Sequence, residues 1–274
     1  MAQIRIDGTD IRYEVRGDGG GEPVVFVHAS PFVEWYGPLL DQLAGLTTLH
    51  FHRRPPQLPA GGFAPLTVAA DAATCAGLLD HLGWGRAHVV GHSYGAIVAL
   101  QLALDLPARV CTLMLLEPAA RGVSASPATA AALEPVFAAY RDGDREQAIE
   151  LFLGVVCGDG SRTELERMLP GASDTAIERA DMFFQSEMPA VGGWRFGPAD
   201  AARITAPVLN VRGTDSAPRF VESSDLVQTW FPHAEQLRLA DTGHFLMLQR
   251  PEEVAKGFLD FLARHPTADT SSPV

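Results

Sequence analysis

Short apolar runs alternate with longer stretches of helical periodicity along most of the chain. Gln3–Asp7 and Ile11–Arg16 alternate apolar and polar positions around Asp7-Gly8, which predicts a β-hairpin. Pro23–His28 (PVVFVH) is a continuous β-branched run, the pattern of a strand buried on both faces. Thr47–His52, Ala87–Gly91, Val110–Leu116, Pro207–Val211 and Glu235–Leu239 predict further strands. Between them, Thr67–Leu82 carries apolar residues at helical spacing and ends at Gly83. Tyr94–Leu106 is an Ala/Leu-rich helix stopped by Pro107. Another helix runs to Phe231, and Pro251 opens a final one reaching Arg264.

Strand alternating with helix predicts an α/β fold, a mostly parallel sheet of about eight strands with helices on both faces. One segment breaks the rhythm. From Glu117 to Ile204 helical patterns recur with no strand between them. Ser126-Pro127, Asp144 with Gln147, Ser161 with Glu164, and Ser173 mark four helix starts. These predict an all-helical lid at 119–203, inserted after the sixth strand of a core formed by 1–118 and 204–265. Such an insertion is far longer than an ordinary crossover. Residues 266–274 are mostly Pro, Thr, Ser and Asp and read as a flexible tail.

Composition narrows the function. The 274 residues are 47% hydrophobic and 20% charged, an ordinary globular mix. A net charge of −12 argues against nucleic acid and against an anionic membrane surface as partners. Cys75, Cys111 and Cys157 form no paired motif and read as small core residues. The N-terminus MAQIRIDGTD has no apolar core of a signal peptide. The most apolar long window, Ala87–Leu104, is broken by His88, His92, Ser93, Tyr94 and Gln101. A cytoplasmic protein is expected.

The sharpest chemical signal is Gly91-His92-Ser93-Tyr94-Gly95-Ala96, a G-x-S-x-G sequence between a buried strand and a helix. Here the chain resembles the α/β-hydrolase superfamily, in its serine-nucleophile branch with a helical lid, over roughly residues 3 to 265. The resemblance implies a chain order of serine, acid, histidine. Asp241-Thr242-Gly243-His244-Phe245 follows the last strand, so His244 is the expected general base. The acid has two candidate positions. Counted from Gly213, the usual family position falls on Ser216, with Asp215 one residue early. The alternative, at the end of the preceding core strand, is Glu117 in Leu115-Leu116-Glu117-Pro118, similar to some haloalkane dehalogenases and zearalenone-type lactonases. Glu117 is favoured, because a carboxylate at a buried strand end must be paired or hydrogen-bonded.

His28-Ala29-Ser30-Pro31 resembles the family's His-Gly-x-Pro, which implies the Ser30 and Tyr94 amides as the oxyanion hole. One departure concerns the loop after Thr47–His52. There Arg53-Arg54-Pro55-Pro56 replaces the family's Arg-Gly-x-Gly and alters a pocket border. Ser, His and a carboxylate imply acyl transfer without a cofactor, and no metal, nucleotide or flavin motif is present. The lid carries Phe137, Phe152, Met182, Phe183, Phe184, Met188 and Trp194. Trp194, Phe184 and Met188 are taken as substrate-binding, and the partner as a hydrophobic small-molecule ester or lactone. Carbon–carbon cleavage of a diketone or dienone, and a non-hydrolytic binding or tailoring protein, stay open, as does a homodimer.

Overall fold

The computed structural model describes residues 1–17, 23–54, 57–120 and 127–266. Ser126, Pro55-Pro56 and the expected tail beyond Pro266 lie outside the described residues. Eight strands form one sheet: β1 (Ala2–Ile6), β2 (Thr9–Arg16), β3 (Pro23–Val27), β4 (Thr47–Arg54), β5 (Ala87–His92), β6 (Val110–Leu116), β7 (Val208–Gly213) and β8 (Glu235–Leu239). Their order is β1-β2-β4-β3-β5-β6-β7-β8. β1 and β2 pair antiparallel, and β2 pairs antiparallel with β4. Every pair from β4 to β8 is parallel. The hairpin closes through Asp7 (φ 48°) and Gly8 (φ 81°), since a tight two-residue turn needs positive φ at both places.

The centre of the sheet is covered on both faces, which is why its strands show no alternation. All six residues of β5 are buried. The helix Tyr94–Asp105 packs on it and on the helix Val68–His81, with Ile97, Val98 and Leu102 among its buried residues. Thr67 caps the helix Val68–His81 by accepting the Ala70 N–H at 3.0 Å.

Between β6 and β7 the described residues form helices only. They include Pro127–Arg141, Arg145–Cys157, Ser161–Met168, Ala172–Glu178 and Met188–Gly193, with a π-helical turn at Phe183–Glu187. Asp144 caps its helix as expected, accepting the Gln147 N–H at 2.9 Å. Two starts differ from the expectation. Gly160 (φ 74°) takes the cap position and Ser161 is already helical. Before Ser173 the cap comes from elsewhere. The Glu166 carboxylate accepts the Gly171 and Ser173 N–H groups at 2.8 and 2.7 Å. Those two bonds hold the Glu166 carboxyl below its usual range. Among the described residues no helix is long and apolar enough to cross a membrane.

Candidate active site

Ser93 follows β5 directly, at φ 52° and ψ −113°, a sharp turn from strand to helix. The two glycines beside it are sterically required. A Cβ on Gly91 would lie 2.4 Å from the Gly95 carbonyl oxygen, and one on Gly95 would lie 1.9 Å from the Val27 carbonyl oxygen. The Ser93 N–H donates to the Leu116 carbonyl at 2.9 Å, which ties the turn to the end of β6.

One strand over, Glu117 repeats the geometry. It stands immediately after β6 at φ 43°, fully buried. Its N–H donates to the Val211 carbonyl at 3.1 Å. His244 lies in the loop after β8, and its Nδ1 is 2.6 Å from Glu117 Oε2. The second carboxylate oxygen accepts the Gly213 N–H at 3.0 Å and the Ser216 hydroxyl. Three donors therefore meet this buried carboxylate. With Nδ1 carrying its proton toward Glu117, Nε2 of the neutral imidazole is the basic nitrogen. Asp215 is exposed and its carboxylate accepts the Thr214 hydroxyl at 3.1 Å. The acid beside His244 is thus Glu117, and Asp215 lies elsewhere.

Two rings pack against the imidazole of His244. Phe220 stacks on it at 3.8 Å between ring centroids and 11° between planes. His92 is tilted against it, 4.3 Å between centroids, with Nε2 3.1 Å from the His244 carbonyl oxygen. A carbonyl only accepts, so that His92 nitrogen carries the proton. His92 Nδ1 then accepts from His28 Nε2 at 3.1 Å. Burial, and then the neighbouring His244 and His28, push His92 well below the usual histidine range. It is a neutral link at the end of the buried strand β5.

The expectation for Ser30 is overturned. Its N–H donates to both carboxylate oxygens of Glu187 at 3.0 Å, and its hydroxyl donates to Oε1 at 2.6 Å. Arg179 holds the same loop, donating to the Ser30 carbonyl at 3.1 Å and to both carboxylate oxygens of Glu34 at 2.8 and 3.0 Å. Ser30 lies outside the cavity that contains Ser93, whereas Ala29 and Tyr94 line it. Among the described residues nothing accepts the Ala29 N–H. Gly95 brings the start of its helix against the Val27–His28 backbone, which sets Tyr94 beside Ala29. The physical reason is Glu187, a buried carboxylate from the helical insertion whose need for donors absorbs Ser30. No sequence motif announced it.

The cavity is mostly apolar. Phe32 and Trp35 from the core meet Phe152, Val156, Phe183, Met188 and Val191 from the insertion. Of the three expected substrate-binding residues, Met188 lines it. Phe184 instead stacks on Tyr140, at 4.6 Å and 28°. Trp194 donates its indole N–H to Gln101 at 2.8 Å and stacks on Phe196. Phe184 packs inside the insertion, among Phe137, Tyr140 and Phe183, and Trp194 joins the insertion to the core helix that carries Gln101, because a buried aromatic face and a buried indole N–H each found a partner there. Sequence reasoning missed Arg219 and Phe220, which sit beyond any motif.

Residues 24–256 match the model of the alpha/beta hydrolase family. The chain belongs to that family. This family member is 28% identical to a 2-hydroxy-6-oxononadienedioate/2-hydroxy-6-oxononatrienedioate hydrolase of Burkholderia vietnamiensis, over 94% of this chain and 93% of the relative. It is 27% identical to a poly(3-hydroxyalkanoate) depolymerase of Ectopseudomonas oleovorans, over 94% and 91% of the two chains. The enol-lactonase structure from Burkholderia xenovorans LB400 superposes with a TM-score of 0.81 at 20% identity, covering 96% of this chain and all of the other, which shows the shared fold.

Proposed function

We propose that this protein is a serine hydrolase that cleaves an ester or lactone of an apolar small molecule through Ser93, His244 and Glu117. The observation that carries the reading is the 2.6 Å contact of His244 Nδ1 with Glu117 Oε2, in a cavity that His244 shares with Ser93 at its strained turn. In this mechanism His244 Nε2 takes the Ser93 hydroxyl proton as the oxygen attacks the carbonyl. The Tyr94 and Ala29 amides receive the oxyanion. His244 then protonates the leaving alcohol, and water attacks the acyl-enzyme with His244 as base. Glu117 stabilises the imidazolium and keeps its ring oriented. The insertion at 119–203 acts as a lid, and its Phe152, Phe183 and Met188 favour an apolar substrate.

Carbon–carbon hydrolysis is the second reading. What favours it is the relative from Burkholderia vietnamiensis, whose named substrate is an oxo-dienedioate rather than an ester. A screen of esters, lactones and diketones with Ser93→Ala as control tests both. Turnover of an ester or lactone lost in Ser93→Ala supports the first reading. Turnover of diketones alone replaces it with the second.

A further inference from the structure

Among the described residues, one arginine faces this cavity without an anion. Arg219 is the second residue of the helix Pro218–Trp230, and its side chain is half-buried in the cavity lining. Among the described residues no carboxylate, carbonyl or hydroxyl pairs with it, and no aspartate or glutamate lines the cavity. Two other arginines of the same molecule hold carboxylates through two nitrogens each. Arg179 grips Glu34, and Arg145 grips Asp181. Burial alone weakens the proton affinity of Arg219, and no neighbouring anion offsets it. A guanidinium cannot relieve this by losing its proton, so a half-buried one gains when an anion replaces the solvation it has lost.

The position is informative. Phe220, the next residue, stacks on His244, so the guanidinium belongs to the turn that holds the base. The N-terminal end of this helix adds its own positive potential. The planar fork of a guanidinium matches a carboxylate, which it binds through two parallel hydrogen bonds.

We propose that Arg219 binds a free carboxylate on the substrate, so that the cavity takes an ester or lactone bearing an acid group away from the bond that is cleaved. This rests on the hydrolase reading above. The apolar residues of the insertion then cover the carbon chain between the two groups.

The test compares monomethyl adipate with dimethyl adipate, and 6-acetoxyhexanoate with its methyl ester. These pairs place the carboxylate on the acyl and on the alcohol side. The expected result is a kcat/KM preference of about thirtyfold or more for the charged member of at least one pair. In Arg219→Met the ratio should fall to near one, with Arg219→Lys between. Calorimetry on Ser93→Ala supplies a readout independent of turnover. Monomethyl adipate should bind it at least about tenfold more tightly than dimethyl adipate, and lose that advantage in Ser93→Ala/Arg219→Met. Ester turnover with no charge preference in either pair overturns the inference and leaves the hydrolase reading intact. Arg219-dependent binding without turnover of any ester supports the carboxylate site and sinks the hydrolase reading.

Discussion

Ser216 donates its hydroxyl to the carboxylate of Glu117, the group that contacts His244. The loop position where a carboxylate was sought thus holds a small donor that secures the carboxylate arriving from the neighbouring strand. Glu117→Gln should lower kcat by about 10³-fold or more while the protein still folds, because the amide cannot balance the imidazolium. Asp215→Asn should cost less than about threefold. Ser216→Ala should fall between, since Glu117 Oε1 keeps the Gly213 N–H. Steady-state kinetics on the three variants check the order. Equal losses in Asp215→Asn and Glu117→Gln would show that the acid is misassigned.

Ser93→Ala and His244→Ala should each remove nearly all turnover, on the order of 10³-fold or more, and the double variant should lose little beyond that. A fluorophosphonate should label Ser93, with the adduct located by peptide mass spectrometry. Labelling at another serine would contradict the mechanism.

The Ser30–Glu187 pair should read out as stability. Ser30→Ala leaves the backbone N–H on Glu187 and should reduce kcat by less than about fivefold. Glu187→Ala leaves that buried N–H without an acceptor, at about 1–3 kcal/mol of unfolding free energy. Urea denaturation measures the second effect. A loss of about a hundredfold in kcat for Ser30→Ala at unchanged stability would return Ser30 to the oxyanion hole.

Acid should weaken the fold through two histidines. His52 is pushed down to about 4, first by burial, with the Glu34 carboxylate opposing, and the Arg179 and His50 charges adding to the fall. His92 is lowered as well, by burial, His244 and His28. Both stay neutral in the folded chain while the unfolded chain binds their protons. Stability is therefore complete above the unfolded value near pH 6.5 and falls as pH drops toward 4, by up to about 1.4 kcal/mol per pH unit for each group. Urea midpoints between pH 7 and 4.5 should decline, and His52→Gln should flatten the decline. An unchanged slope in that variant would remove His52 from the account.

The central strands were legible because a covered parallel sheet needs unbroken apolar runs, which sit at 23–28, 87–91 and 110–116, and the N-terminal hairpin was legible from its alternation around Asp7-Gly8. Ser93 was legible because its turn demands glycines at fixed offsets. Glu117 could be reached from burial, since a carboxylate after an apolar strand needs partners. Ser30 could not be judged from its own neighbourhood. Its amide is taken by Glu187, 157 positions away, on a π-helical turn without a sequence signature. Trp194 and Phe184 were apolar as expected, yet the direction in which each faces depends on Gln101 and Tyr140 from other helices. Periodicity marks what is buried and is silent on which surface buries it.

Ser93 and Glu117 both hold left-handed backbone angles without being glycine or asparagine. Conformations of this kind cost on the order of 1–3 kcal/mol each. Glycine would relieve that strain at either position, and at Ser93, where no buried charge network is broken, Ser93→Gly is expected to raise the melting temperature. Selection for heat resistance alone would therefore drift toward discarding the proposed nucleophile. A directed-evolution campaign on this chain has to score survival and turnover in the same round, or its hardiest descendants will be inert.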